Sequence, residues 1–213
     1  GLEKQALILS ANKNGPYKKF EDILEAKKPV RMALPGKMST MHVMMAFAQD
    51  VWDFKINFIP GYKGAAGQFK ATEGGETDMN CGSEVSSAPR IKGGTVHPLV
   101  YLTAEKQDFF PDIPAILETP AKNQAAKERF ISAIWIYRYS RTLGMPPGVP
   151  QDRVEFVRAA LKDTLSDPAL IAEGKKNGVP FIFTPPGEYK IQKKKLFGGM
   201  SAEDKAHLKE LLK

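Results

Sequence analysis

The sequence predicts an α/β fold in which a mainly parallel sheet is flanked by helices, and three observations carry that prediction. Three short runs, VRMAL at 30–34, INFI at 56–59 and TDMNC at 77–81, each lead into a loop of small or polar residues and then into a helical pattern. Repetition of strand, loop and helix argues for parallel strands joined by right-handed crossovers. Apolar residues make up 42% of the 213 positions, enough for a sizeable core in one or two domains. No run approaches the roughly 18 apolar residues of a membrane span, and no leader pattern stands at the amino terminus.

The elements follow in order. ALIL at 6–9 is a short apolar strand, and Asn14, Gly15 and Pro16 make a break suited to starting a helix that carries Phe20, Ile23 and Leu24 on one face. VRMAL runs into the loop 35–40 and a helix with Met41, Met44, Met45 and Ala48 on its apolar side, a stripe read as core packing rather than a cofactor box. INFI leads into the glycine loop 61–64 and a helix, and TDMNC into Gly82, Ser83 and a helix through Arg90. Further on, Val154, Val157, Leu161 and Leu165 keep helical spacing, and another helix is expected after Asp167 and Pro168. SAEDKAHLKELLK at 201–213 opens with a capping-box pattern, Ser201 to Asp204, and ends as a short basic helix.

In a parallel sheet, ligands collect at the carboxyl ends of the strands, where the three loops converge. The chemistry available there is electrostatic and hydrogen-bonding, because the first turn of a helix presents unpaired N–H groups and partial positive charge to a carboxylate or phosphate. Ser39 and Thr40 either cap their own helix or donate to a ligand, and Gly64 lets a ligand approach the backbone. Lys63 reads as an anion attractor or as a solvated side chain. His42, one turn into its helix, lines the cleft or packs against the neighbouring strand.

Other chemistry finds little support. Cys81 is the single cysteine, so no intrachain disulfide and no CxxC pair exist, and its apolar setting reads as burial rather than nucleophilicity. Asp78 and Glu84 give no evidence of a catalytic separation, and His97 has no acid or nucleophile beside it. No Walker loop, GxSxG, HExxH or dinucleotide motif is present, so no enzyme, cofactor or metal is predicted. The net charge of +7 suits an acidic partner, but Lys and Arg are scattered rather than gathered with aromatics, which argues against nucleic acid. An enzyme on a similar lobe and a basic interaction module stand as the competing readings.

The order of PYKKFEDILEAKK at 16–28, LPGKMSTMHVMMAFAQ at 34–49, IPGYKGAAGQF at 59–69, GGETDMNCGS at 74–83 and APRIKGG at 88–94 resembles the solute-binding receptors of tripartite tricarboxylate transporters. FFPDIPAILE at 109–118, MPPGVPQDRVEFVRAALKDTLSDPAL at 145–170 and NGVPFIFTPPGEY at 177–189 continue the resemblance over most of the chain. It implies an extracytoplasmic type II periplasmic binding fold whose two lobes close around a small organic acid and deliver it to membrane components of a transporter. By that likeness the ligand loops match 36–42, with Ser39, Thr40 and His42; then Tyr62, Lys63 and Gly64; then Asn80, Gly82 and Ser83. Lys37 and Met38 stand where the family usually has small polar residues.

The same likeness implies an α/β ligand-binding lobe at 14–130, with 1–13 and 131–213 supplying hinge strands and the remainder of an incomplete other lobe. ISAIWIYRY at 131–139 is expected as the second crossing strand. The amino-terminal part of the first lobe, usually found before the strand matching ALIL, is expected to be missing, as in a truncated receptor without transport activity. Carboxyl-terminal helices lacking their sheet partner are expected to expose apolar surface and to favour homo-oligomers or domain swapping.

Overall fold

The computed structural model describes residues 2, 6–138, 141–177, 179, 181–197 and 201–212. Among them, β1 (Leu7–Asn12), β2 (Val30–Leu34), β3 (Ile56–Pro60), β4 (Met79–Ser83) and β5 (Val96–Tyr101) form one sheet in the spatial order β3-β2-β4-β1-β5. β2 runs parallel to β3, with Val30 opposite Ile56 and Leu34 opposite Pro60, and parallel to β4, with Ala33 opposite Asn80. β1 runs antiparallel to both of its neighbours. The predicted, mainly parallel α/β sheet is therefore present, with one reversed strand inside it.

That reversal has a local cause. Asn12 ends β1 beside Asp78, whose carbonyl accepts its N–H at 2.9 Å, so residues 13–29 travel along one edge of the sheet to begin β2. A crossover is unnecessary there, and the short α1 (Phe20–Leu24) suffices. The other connections are crossovers through α2 (Thr40–Trp52), α3 (Gly64–Glu73) and α4 (Glu84–Lys92). β5 carries Pro98 and lies at the sheet edge, where a missing N–H is tolerated.

Alternation along the strands divides the core. Leu7, Leu9, Met32, Leu34, Met79 and Cys81 face α2 and α5 (Gln124–Arg138), where they join Met44, Met45, Ala48, Val51 and Phe130 in one buried cluster. The methionine stripe is core, as predicted. Trp52 is its centre: fully buried, it meets Phe20 and Phe130 edge to face at 5.8 and 5.2 Å and donates its indole N–H to the Thr119 carbonyl at 3.2 Å. On the opposite face lie Ile8, Ser10, Asn80 and Gly82, beneath α3 and α4.

The expected crossing strand at 131–139 is corrected by the structure: 131–138 belong to α5, and Tyr139 lies outside the described residues. Its β-branched and aromatic residues suit a strand by propensity, but Phe130, Ala133, Ile134 and Tyr137 recur at helical spacing and pack on the α2 side. Packing decides between the two periods. Beyond it come α6 (Gln151–Leu165), α7 (Pro168–Lys176), α8 (Pro186–Phe197) and α9 (Ala202–Leu211). Asp167 caps α7 by accepting from the N–H groups of Ala169 and Leu170, and Ser201 precedes α9 as expected.

α9 folds back onto α2. The His207 ring donates to one oxygen of Asp50 at 2.9 Å while Arg129 holds the other at 3.2 Å. The Leu2 N–H reaches the Arg141 carbonyl at 2.8 Å, and the Ile182 N–H reaches the Leu2 carbonyl at 3.2 Å, so three distant segments run together.

Candidate functional site

Three helices begin at one edge of the sheet. The parallel register of β3, β2 and β4 brings their carboxyl ends side by side, and α2, α3 and α4 start immediately beyond them. Strands stand about 4.8 Å apart, so the three N-termini lie within roughly 10 Å along the edge. Each offers unpaired N–H groups and the positive end of its dipole.

The middle loop, between β2 and α2, is the most constrained. Ser39 is the N-cap, its Oγ accepting from the His42 N–H at 3.4 Å, while the Met38 N–H donates to His42 Nδ1 at 3.1 Å. That bond fixes the neutral ring with its proton on Nε2. Met38 takes a left-handed backbone, φ 60°, and its side chain is exposed. His42 is buried against Phe58, ring centres 4.5 Å apart, and burial together with the charge of Lys37 lowers its pKa. It therefore props the loop from behind while Thr40 stands exposed at the first turn.

In the next loop Lys63 is the N-cap of α3 and is exposed, and Gly64 has φ +61° with open space where a Cβ would stand. A ligand can approach that backbone. Tyr62 turns away: its hydroxyl donates to Glu76 at 2.6 Å, and its N–H is held by the Leu34 carbonyl. It fastens the loop to the end of β2 and offers its hydroxyl elsewhere.

The third loop is tight. Ser83 caps α4, its Oγ meeting the Ser86 N–H at 3.3 Å and the Ser86 hydroxyl at 3.1 Å. Gly82 is buried, and Asn80 lies fully inside the sheet, two residues before it. The structure thus places Ser39, Thr40, Lys63, Gly64 and Ser83 along the loop edge, and His42, Tyr62, Asn80 and Gly82 behind or beneath it.

Glu84 is a buried acid beside the third loop, in a setting its sequence neighbours do not reveal. It follows the Ser83 cap, is 6% exposed, and accepts from the Tyr101 hydroxyl at 2.8 Å. Asp78, the other half of the carboxylate pair weighed from the sequence, lies at the far end of β4 in a 2.7 Å ion pair with Arg31. Burial raises the Glu84 pKa, opposed by the Tyr101 hydrogen bond and the charge of Arg138. Folding therefore favours the protonated acid, and stability falls as pH rises from the ordinary 4.5 through the raised value. Glu84→Gln, which keeps an acceptor for Tyr101, is expected to raise the urea midpoint at about pH 7 and to give no gain near pH 4. A lower midpoint at neutral pH would contradict this.

Ser10 of β1, Gln68 of α3 and Ser87 of α4 are further polar residues buried between the sheet and those two helices. For Gln68 and Ser87 the signal in the sequence is a polar residue at the inward position of a helix otherwise patterned by Phe69, Ala71 and Ala88. Among the described residues no group of His, Cys, Asp and Glu could hold a metal, and no helix is long and apolar enough to cross a membrane. Burial pushes the Cys81 thiol pKa up, away from the range of a nucleophile.

The profile of the Tripartite tricarboxylate transporter family receptor matches residues 1–193. No curated protein matches. Among solved structures, R. palustris Rpa4515 with adipate superposes with a TM-score of 0.72 at 18% identity, over 99% of this chain and 67% of that one. A structure described as a periplasmic transporter gives 0.71 at 22% identity, over 100% and 67% of the two chains. MatC (Rpa3494) from Rhodopseudomonas palustris with bound malate gives 0.63 at 17%, again over 100% and 67%. At these identities the likeness concerns the fold, and the chain spans about two thirds of the length of these relatives.

Proposed function

We infer the function from a premise: this chain belongs to the tripartite tricarboxylate transporter receptor family, whose members are substrate-binding receptors and not enzymes. In this reading it captures a small organic carboxylate outside the cytoplasm, in the periplasm, and hands it to the membrane components of a transporter. The observation that carries the reading is the set of three helix N-termini on adjacent parallel strands, a geometry suited to a carboxylate. The adipate and malate held by two neighbours of the same fold support it.

Ser39, Thr40 and Ser83 supply hydroxyl and backbone donors, Lys63 the compensating charge, and Gly64 the close approach. His42, Tyr62, Asn80 and Gly82 hold those loops in place. Binding requires no bond chemistry: the lobe of residues 14–130, its sheet completed by β1 and its core by the end of α5, closes against the part that carries α6 and α7 about the segments joined at Leu2, Arg141 and Ile182. Self-association belongs to the same proposal, supported by Phe156 of α6, 74% exposed, and by exposed Leu143 and Met145 nearby. The two-thirds coverage supports a second reading, a receptor lobe without transport activity of its own.

Thermal unfolding with a panel of di- and tricarboxylates tests the carboxylate site, since a ligand at 100 times its dissociation constant stabilises by about 2.7 kcal/mol. One or more acids should raise the midpoint, and Lys63→Ala should weaken that acid about tenfold, the worth of one charge-assisted bond. No shift with any acid would overturn the reading, and steeply salt-dependent binding of polyanions in its place would favour a basic interaction module.

A further inference from the structure

We infer that the layer between the sheet and helices α3 and α4 is an internal hydration site, in which a small cluster of water molecules is bound by Ser10, Gln68, Asn80 and Ser87. Strand alternation and register set it up. Leu7, Leu9 and Ala11 belong to the large core, which turns Ser10 to the other face; Met79 and Cys81 do the same for Asn80. The antiparallel pairing of β1 and β4 puts Ser10 directly opposite Asn80. α3 and α4 cover that face, since a Cβ on Gly82 would stand 2.9 Å from the Phe69 ring of one and from Ser86 Oγ of the other. Gln68 and Ser87 are buried positions of those two helices.

Ser10, Asn80 and Ser87 are 0% exposed and Gln68 is 2% exposed. Ser10 Oγ, Gln68 Oε1, both amide atoms of Asn80 and Ser87 Oγ are buried without a hydrogen-bond partner among the described residues, while Gln68 Nε2 is taken by the Gly64 carbonyl at 3.0 Å. An orphaned buried polar group costs roughly a factor of 5 to 150 in the folding equilibrium. Taken together, these atoms would cancel about the whole stability of an ordinary domain. The set is electrically neutral and mixes donors with acceptors, which suits water rather than an anion or a metal ion. Such waters tie β1 to β4, α3 and α4 directly beneath the Gly82–Ser83 turn. The inference stands whether or not the loops above bind a carboxylate.

A crystal structure at about 1.5 Å resolution tests it, since buried waters typically make about three hydrogen bonds. Ordered water peaks should lie within hydrogen-bond distance of at least two of the four side chains. A dry layer, or side chains bonded only to one another, overturns the proposal. Unfolding equilibria give an independent sign. With bound water, Ser10→Ala and Asn80→Leu each lower the folding equilibrium constant about 5- to 30-fold, by stranding water that had partners. In a dry layer the same changes remove a burial penalty and raise it. Ser10→Ala is small enough to separate a hydrated layer from a dry, unpartnered one where Asn80→Leu fails to fold, and the crystal structure distinguishes water from side-chain partners.

Discussion

Trp52→Ala is expected to lower stability by about 3–5 kcal/mol, a large share of what holds an ordinary domain folded. The indole fills the junction of α1, α2 and α5, where Phe20 and Phe130 meet its edges and faces, and nothing adjacent can collapse into the space without losing its own contacts. The Thr119 carbonyl also loses its donor. Urea unfolding followed by circular dichroism measures the loss. Trp52→Phe, which keeps a ring but not the N–H, should recover more than half of it. An alanine variant within about 1 kcal/mol of the parent would mean that α5 does not pack on α2 as described.

Gly82→Ala is expected to cost about 1–3 kcal/mol and to weaken ligand binding at the same time. Its new methyl carbon would stand 2.9 Å from two carbons of the Phe69 ring and from Ser86 Oγ, so either α3 or the first turn of α4 must shift. Both helices begin at the loop edge, and the displacement reaches the donors above. Gly36→Ala is the control: nothing lies within 4 Å of the added carbon, and stability should stay within about 0.5 kcal/mol of the parent. Equal effects at the two glycines would contradict the close packing of α3 and α4 over β4.

These effects show where the sequence was legible and where it was not. The three strand–loop–helix units stood out because small and capping residues follow apolar runs at 30–34, 56–59 and 77–81, and the helices begin beside Ser39, the glycine loop 61–64 and Ser83. The direction of β1 was not legible, since an isolated apolar run carries no sign of its neighbours. ISAIWIYRY fits both a strand and a helix period, and only the packing of Phe130 and Ile134 on the α2 side selects the helix.

The candidate site was legible at the level of loops rather than side chains. Sequence placed Tyr62 and Asn80 at the cleft, but the Tyr62 hydroxyl is spent on Glu76, and Asn80 points to the interior because alternation along β4 puts Met79 and Cys81 on the other side. Glu84 drew little notice because its partner, Tyr101, lies on a strand 17 residues away that Pro98 and His97 disguise.

The central claim, that the loop edge of β2, β3 and β4 is a carboxylate site, is tested most directly by backbone amide chemical shifts during titration with malate and with adipate. Carried to about 20 mM, the titration saturates even a site with a dissociation constant of about 1 mM. Saturable shifts should concentrate on the amides of 36–42, 62–65 and 82–86 for at least one of the acids. Saturable shifts confined to other surfaces, or none for either acid, would contradict the claim.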